Sequence, residues 1–234
     1  MSSHRLVSVR TNIQSVKNRI ASAANRVGRD PHSIELVAIS KFKPVSQMME
    51  AIDAGITDLG ENRVQEATDK HCRIDLPVKW HLVGHLQTNK VKQALQMFDL
   101  IHSLDSLRLL AEIDRRSGQL NRKTDTLVEV NTSGEESKYG LQPNEVPSFM
   151  ESSVEYSHVR IKGLMTIGRL VPDPQEVRPS FALLRRIKDT VDSQRYPNIQ
   201  MKYLSMGMTN DFEVAIEEGA NMVRIGSAIF GERH

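Results

Sequence analysis

Cysteine is almost absent from the 234-residue sequence, and neither sign of charge dominates. The single cysteine, Cys72, excludes an intramolecular disulfide and a metal site built from cysteines, and it is typical of a reducing compartment. The formal net charge is only +2, and acidic and basic residues are mixed through most of the chain. This mixture argues against nucleic-acid binding, which needs lysine and arginine clustered on one face.

Long hydrophobic runs are also missing. No run approaches the roughly 18 apolar residues of a membrane span, and the N-terminal "MSSHRLVSVRTNIQ" lacks the apolar core of a signal peptide. We therefore expect a cytoplasmic protein without membrane association. Residues 1–29 contain no acidic residue, as in some mitochondrial transit peptides. An amphipathic first helix is the preferred interpretation, because apolar residues recur there at helical spacing: Leu6, Val9, Ile13, Val16, Ile20 and Ala23.

Short apolar runs alternate with amphipathic segments along the rest of the chain. The pattern predicts eight strands, at 34–40, 57–60, 79–84, 99–104, 126–131, 159–167, 202–206 and 222–226. Helices are predicted between them, at 45–54, 62–73, 89–97, 106–119, 143–155, 176–193 and 210–218. Such alternation is typical of repeated βα units with parallel strands. Eight units predict one (β/α)₈ TIM-type barrel domain, residues 1–234, with an extra N-terminal helix. An open doubly wound sheet is the alternative.

A lysine ends the first predicted strand, in "IELVAISKFKP" at residues 34–44. Binding and catalytic groups of a barrel lie at the carboxyl ends of its strands. A lysine in a desolvated pocket has a lowered pKa, and its neutral amine can form an imine with an aldehyde. Lys43 is the rival candidate, but it adjoins Pro44 in the loop. Lys41 still belongs to the apolar run, so the prediction is Lys41.

The last two strands lead into loops that suit a phosphate. "SMGMTND" begins at Ser205 and includes Gly207, and the eighth strand ends in Gly226 and Ser227. Glycines allow the backbone to approach an anion, and hydroxyls donate hydrogen bonds to it. Ordinary turn chemistry is the alternative interpretation. Because neighbouring strand residues face opposite ways, Arg224 is expected to point into the barrel, toward either a ligand or an interior acid such as Glu129.

These three features together describe a pyridoxal phosphate site. In that chemistry a lysine holds the aldehyde and a polar side chain faces the pyridine nitrogen. Arg224 is the predicted partner of the nitrogen. An arginine donates a hydrogen bond but does not readily protonate the ring, which then withdraws electrons weakly.

The sequence resembles the family of pyridoxal phosphate homeostasis proteins from about residue 10 to Gly231. The motifs that carry the resemblance are "AISKFKP", "DLGENRVQEA", "WHLVGHLQTNK", "VNTSGEESKYG", "GLMTI" and "LSMGMTNDFEVAIEEGANMVRIGSAIFG". The resemblance implies that Lys41 forms the Schiff base and that Arg224 faces the pyridine nitrogen. It also implies that Asn62 lies near the cofactor. By the same resemblance, the phosphate is lined by Ser205, Gly226 and Ser227.

The resemblance further implies a barrel like that of alanine racemase, and a carrier or regulator in vitamin B6 homeostasis without robust catalysis. Apoenzymes that require the cofactor are the expected partners, and a monomer is expected. A racemase on the same cofactor is one alternative, but a second domain is not expected after the eighth strand, and Tyr139 is only a remote acid–base candidate. A cofactor-free aldolase with an imine on Lys41 is the other. Lys138 is expected at the mouth of the barrel.

No catalytic residue and no metal site are predicted. "HLVGH" places His81 and His85 on the same face of a strand, but too far apart to bind one zinc ion.

Overall fold

Eight parallel strands close into a barrel in chain order, with β1 hydrogen-bonded to both β2 and β8. The structure is a computed structural model and describes residues 8–135 and 137–232. The closed order confirms the predicted barrel and excludes the open sheet. The strands are β1 (Glu35–Ile39), β2 (Asp58–Glu61), β3 (Lys79–Leu82), β4 (Leu100–Leu104), β5 (Thr124–Glu129), β6 (Val159–Met165), β7 (Ile199–Ser205) and β8 (Met222–Ile225).

A helix follows every strand, and one further helix precedes the barrel. In the described ranges they are α1 (Val9–Arg26), α2 (Val45–Asp53), α3 (Val64–His71), α4 (Val91–Ala94), α5 (Leu107–Gln119), α6 (Val146–Ser153), α7 (Arg178–Gln194), α8 (Phe212–Glu217) and α9 (Ser227–Phe230). The helix predicted over 89–97 is shorter than expected, because a 3₁₀ turn precedes α4 and turns follow it. None of these helices has the length and apolarity that crossing a membrane requires.

The N-terminal helix α1 lies outside the barrel and packs against α8 and α9, the helices that follow the last two strands. Ser8 caps it by accepting a hydrogen bond from Thr11 N. Its apolar stripe, from Val9 to Ala23, is buried against the rest of the core, as the spacing predicts; Leu6 lies outside the described residues. Asn12 Nδ2 donates to the carbonyl of Ile229 at 2.9 Å, so α1 is bonded to α9.

Strand alternation separates two apolar layers. Val223 and Ile225 of β8 pack between the strands and the helices, whereas Met222 points into the barrel interior. Arg224 shares the inward face with Met222, as predicted. Apolar side chains of the interior layer are Val37, Ile39, Val83, Leu100, Leu127, Met165 and Met222. Buried polar side chains are interleaved with them, and several form the floor of the site.

Candidate cofactor site

A cavity of about 370 Å³ opens at the carboxyl ends of β1, β7 and β8. This volume is typical of a small-molecule site. Four basic residues but only one acidic residue, Asp211, are among its described lining, so the cavity favours an anionic ligand. The lining residues are Ile39, Lys41, Lys43, Arg169, Leu170, Val171, Pro174, Val177, Met208, Thr209, Asn210, Asp211, Arg224, Gly226, Ser227 and Gly231.

Two lysines line this cavity, and their surroundings differ. Lys43 Nζ donates to the carbonyls of Phe230 at 3.0 Å, Gly231 at 3.0 Å and Glu232 at 3.1 Å. An ammonium group has three N–H donors. The three bonds therefore use all of the donors of Lys43 at the end of α9 and the two residues after it. Lys41 follows β1 and is half-buried. Both lysines therefore lie at this cavity, and Lys43 also bonds three backbone carbonyls.

Arg224 lies at the floor of the cavity, with 4% of its surface exposed. Its Nη1 donates to Ser205 Oγ at 2.7 Å, and its Nη2 donates to the Thr166 carbonyl at 2.8 Å. Burial lowers the pKa of Arg224 to about 10, and the charges of Glu129 and Asp211 oppose this lowering. The guanidinium therefore remains protonated near neutral pH. In the part of the chain that the structure describes, it is held by hydrogen bonds and not by the ion pair that the alternative interpretation required.

A chain of hydrogen bonds runs from Arg224 through the barrel interior. Ser205 Oγ lies 3.2 Å from His102 Nδ1, and His102 Nε2 lies 2.9 Å from His81 Nδ1. His81 Nε2 lies 2.9 Å from Asp58 Oδ1. The four supporting residues come from β7, β4, β3 and β2, and all of them are buried. No sequence pattern indicates that Asp58, His81 and His102 are hydrogen-bonded to one another, because they lie on three different strands.

One arrangement of protons satisfies every group in this chain. Burial raises the pKa of Asp58, but hydrogen bonds from His81 and Thr57 outweigh it, so the pKa is lowered and the carboxylate accepts from His81 Nε2. Burial is the largest cause that holds the pKa of His102 well below its ordinary value, and the charge of Arg224 adds to it. A neutral His102 then donates from Nε2 to His81 Nδ1 and accepts at Nδ1 from the Ser205 hydroxyl. Ser205 Oγ is left to accept from Arg224.

The structure differs from the expectation at Ser205. Its side chain is fully buried beneath Arg224 and is not part of the described cavity lining. Thr209, four residues further along, does line the cavity. Its Oγ1 accepts from Ser227 Oγ at 3.2 Å and from Ala228 N at 3.4 Å. The loop after β7 therefore presents its hydroxyl at Thr209, because Ser205 still belongs to the strand and points inward.

The remaining predicted residues divide into one that lines the cavity and two that do not. Gly226 lines it and lies close to β1, since a Cβ there would be 3.3 Å from the Ile39 carbonyl. Gly207 has a φ of +92°, and a Cβ would lie 2.6 Å from that of Ala215, so it shapes the loop beneath α8. Asn62 follows β2 and is half-buried outside the described lining.

A second, smaller cavity of about 190 Å³ lies beside Glu129 and the loop after β5. Burial raises the pKa of Glu129 to about 7; the charge of Asp105 adds to this, and that of Arg224 opposes it. Lys138 Nζ donates to the Gly168 carbonyl at 3.0 Å and pairs with Glu135. Tyr139 is 59% exposed and stacks on His85, so it does not face Arg224 as an enclosed acid–base group.

The closed barrel is of the alanine racemase N-terminal domain class, whose family model matches residues 9–234. A curated relative from Aquifex aeolicus, named pyridoxal phosphate homeostasis protein, is 44% identical over 219 residues, covering 93% of this chain and 95% of the relative. A relative of the same name from Escherichia coli is 39% identical over 229 residues, covering 95% of each. The chain belongs to the family of pyridoxal phosphate homeostasis proteins.

Solved structures agree with this membership. PipY of Synechococcus elongatus with PLP bound superposes with a TM-score of 0.80 at 34% identity, covering 92% of this chain and 100% of PipY. An alanine racemase of Clostridium difficile superposes with a TM-score of 0.76, covering 97% of this chain but 60% of the racemase. At 14% identity, that likeness concerns the fold alone.

Proposed function

We propose that this protein binds pyridoxal 5'-phosphate as a Schiff base on Lys41 and acts in intracellular vitamin B6 homeostasis as a carrier or regulator. The observation that carries the proposal is the lining of one cavity by the Lys41 amine, the Arg224 guanidinium and the Thr209–Ser227 hydroxyl pair. These groups match the aldehyde, the pyridine nitrogen and the phosphate of the cofactor. The related PipY structure with PLP bound supports the same ligand.

The phosphate end is proposed to lie at the joined loops after β7 and β8. Thr209 Oγ1 and Ser227 Oγ are already hydrogen-bonded to each other, so little side-chain ordering remains to be done on binding. Gly226 leaves the backbone accessible, and Lys43 and Arg169 add positive charge to the lining. Gly207 acts by shaping this loop. Asn62 is retained as a proposed neighbour of the cofactor.

Arg224 limits the chemistry that the site supports. When bound, the cofactor supplies an aldehyde that condenses with amines and a ring that withdraws electrons. Arg224 stays protonated near neutral pH, because its pKa is about 10. It would donate to the ring nitrogen of the bound cofactor without protonating it, so the ring would withdraw electrons weakly. We therefore propose a cytoplasmic, monomeric carrier that passes the cofactor to apoenzymes and turns over amino acids negligibly.

The test is the absorption spectrum of the purified protein mixed with pyridoxal phosphate, because a Schiff base absorbs visible light. Borohydride reduction and peptide mass analysis are expected to find the pyridoxyl group on Lys41. Lys41→Ala is expected to remove the visible band and to leave the far-UV circular dichroism unchanged, whereas the matched variant Lys43→Ala keeps the band. A label found mainly on Lys43 or Lys138 would contradict the assignment. An imine formed only with a phosphorylated sugar would favour the aldolase alternative.

A further inference from the structure

The turn that carries Lys41 is bonded to one helix on both sides. Lys70 Nζ donates to the Ser40 carbonyl at 2.8 Å, and Phe42 N donates to Glu66 Oε1 at 2.5 Å. Ser40 and Phe42 are the immediate neighbours of Lys41, so these two bonds bracket its Cα. Glu66 and Lys70 both belong to α3, lie one helical turn apart and form an ion pair of 2.6 Å.

This pair is anchored in the barrel wall. Lys70 is 7% exposed, and it also donates to Glu61 Oε1 at 2.7 Å at the end of β2. Ser40 Oγ donates to the same oxygen at 2.6 Å. Burial raises the pKa of Glu61, while hydrogen bonds from Lys70 and Ser40 oppose that rise. The cluster thus joins the ends of β1 and β2 to α3 through groups that are costly to separate, because a buried charge needs its partners.

Phe42 shows why the turn depends on such anchoring. Its φ is +62°, a left-handed conformation that is rare for a bulky residue other than glycine. Its side chain is 58% exposed, so burial of the ring contributes little to holding the backbone in this shape. The bond from Phe42 N to Glu66, which is charge-assisted, favours the observed turn directly.

We propose that Glu66 and Lys70 are positioning residues that hold the turn so that Lys41 points into the cofactor cavity. This inference rests on the proposed Schiff base at Lys41. Neither glutamate of "DLGENRVQEATDK", Glu61 or Glu66, is part of the described cavity lining. Holding the turn would give these residues a function that does not require contact with the cofactor.

A positioning role and a purely stabilising role differ in what they change. A substitution that only destabilises the protein lowers the free energy of unfolding, but the molecules that remain folded bind both ligands with parental affinity. Loss of positioning weakens attachment within the folded protein. Loss of positioning also lowers the affinities for pyridoxal and for pyridoxal phosphate by the same factor, because both ligands attach through the aldehyde. A defect at the phosphate end would spare pyridoxal.

The experiment compares Glu66→Ala and Glu66→Gln with a matched variant, Glu112→Ala, which removes a helical acid that pairs with Arg115 and Arg116 on the surface of α5. Dissociation constants for both ligands come from titration of the visible band, corrected for the folded fraction. Glu66→Ala is expected to lower the affinity for each ligand about tenfold, which corresponds to roughly 1.4 kcal/mol. Glu66→Gln retains an uncharged acceptor and is expected to lose about threefold. Glu112→Ala is expected to bind both as the parent does.

Parental affinity of folded Glu66→Ala for both ligands would overturn the inference, and so would a loss confined to pyridoxal phosphate. If Glu66→Ala does not fold, Glu66→Gln decides by the same criteria. Failure of the underlying function has a separate signature, since Lys41→Ala would then keep the visible band. Loss of the band in Lys41→Ala together with parental behaviour of the Glu66 variants would reject the positioning role alone.

Discussion

Arg224 Nη1 donates to Ser205 Oγ over 2.7 Å, and this bond connects the floor of the cavity to a buried chain that ends at Asp58. Ser205, which the sequence predicts as a phosphate ligand, is thus the hydrogen-bond acceptor of Arg224 in this structure. Of the two hydroxyls near the end of β7, Ser205 accepts from Arg224, and Thr209 lines the cavity.

These different contacts predict that removing either hydroxyl lowers ligand affinity in a different way. Thr209→Ala is expected to weaken pyridoxal phosphate by roughly 1.5–3 kcal/mol, the range for a hydrogen bond to a charged group, and to leave pyridoxal nearly unaffected. Ser205→Ala is expected to weaken the binding of both ligands, because Arg224 loses one of its two hydrogen-bond acceptors and keeps only the Thr166 carbonyl. Ser227→Ala should follow Thr209→Ala. Titration of each variant with both ligands measures this, and equal losses for Thr209→Ala would place the phosphate elsewhere.

The charge of Arg224 predicts very slow chemistry at the amino-acid α-carbon. The parent protein is expected to exchange α-protons with deuterated solvent far below ordinary enzyme rates of about 1–10³ s⁻¹. Arg224→Glu should raise the exchange, because a carboxylate favours a protonated ring. Arg224→Gln is the control that removes the positive charge without adding a negative one. Rapid racemisation by the parent, measured by optical activity, would support a racemase and reject the carrier.

His102 predicts a loss of stability in mild acid. Its folded pKa is depressed, so its contribution is present above the ordinary value of 6.5 and is lost as the pH falls below that value, where the unfolded chain binds the proton first. His102→Gln is expected to be less stable at pH 7, because His81 and Ser205 lose a partner, and to show a flatter decline from pH 6.5 to 5. Urea unfolding of the cofactor-free protein measures both.

The exposed His32 provides the control for that measurement. His32→Gln is expected to keep the parental slope of stability against pH. An unchanged slope in His102→Gln would show that His102 does not titrate on unfolding in this range.

The raised pKa of Glu129 predicts the opposite dependence of stability on pH. Its folded pKa, about 7, exceeds the ordinary 4.5, so its favourable contribution is complete below pH 4.5 and is lost as the pH rises through 7. The shift corresponds to roughly 3 kcal/mol at most. Glu129→Gln should therefore gain stability relative to the parent between pH 5 and pH 8. The exposed Glu151→Gln is the control, and a difference between parent and Glu129→Gln that does not vary with pH would contradict the prediction.

The barrel could be predicted because its rules are local. Strands buried on both faces form short apolar runs, and the two-residue alternation of β8 correctly turns Arg224 inward between Val223 and Ile225. Gly219, with a φ of +103°, ends its helical segment as a glycine should.

The hydrogen-bond chain could not be predicted because its members belong to different strands. His81 pairs with His102 of the adjacent strand and not with His85 of its own sequence motif. Which side chains meet depends on the strand register, which no local pattern specifies. The bond between Ser205 and Arg224 likewise joins two strands, β7 and β8.

The closure of β8 onto β1 has a consequence for synthesis of the protein. Ser227 follows Lys41 by 186 positions, yet both line one cavity, and Lys43 bonds the carbonyls at 230–232. At about 5–20 residues per second, a ribosome needs roughly 10–40 s to make the intervening chain. A nascent polypeptide therefore contains Lys41 long before it contains Ser227. The proposed binding at this cavity therefore requires that the chain through β8 and Ser227 has already been made.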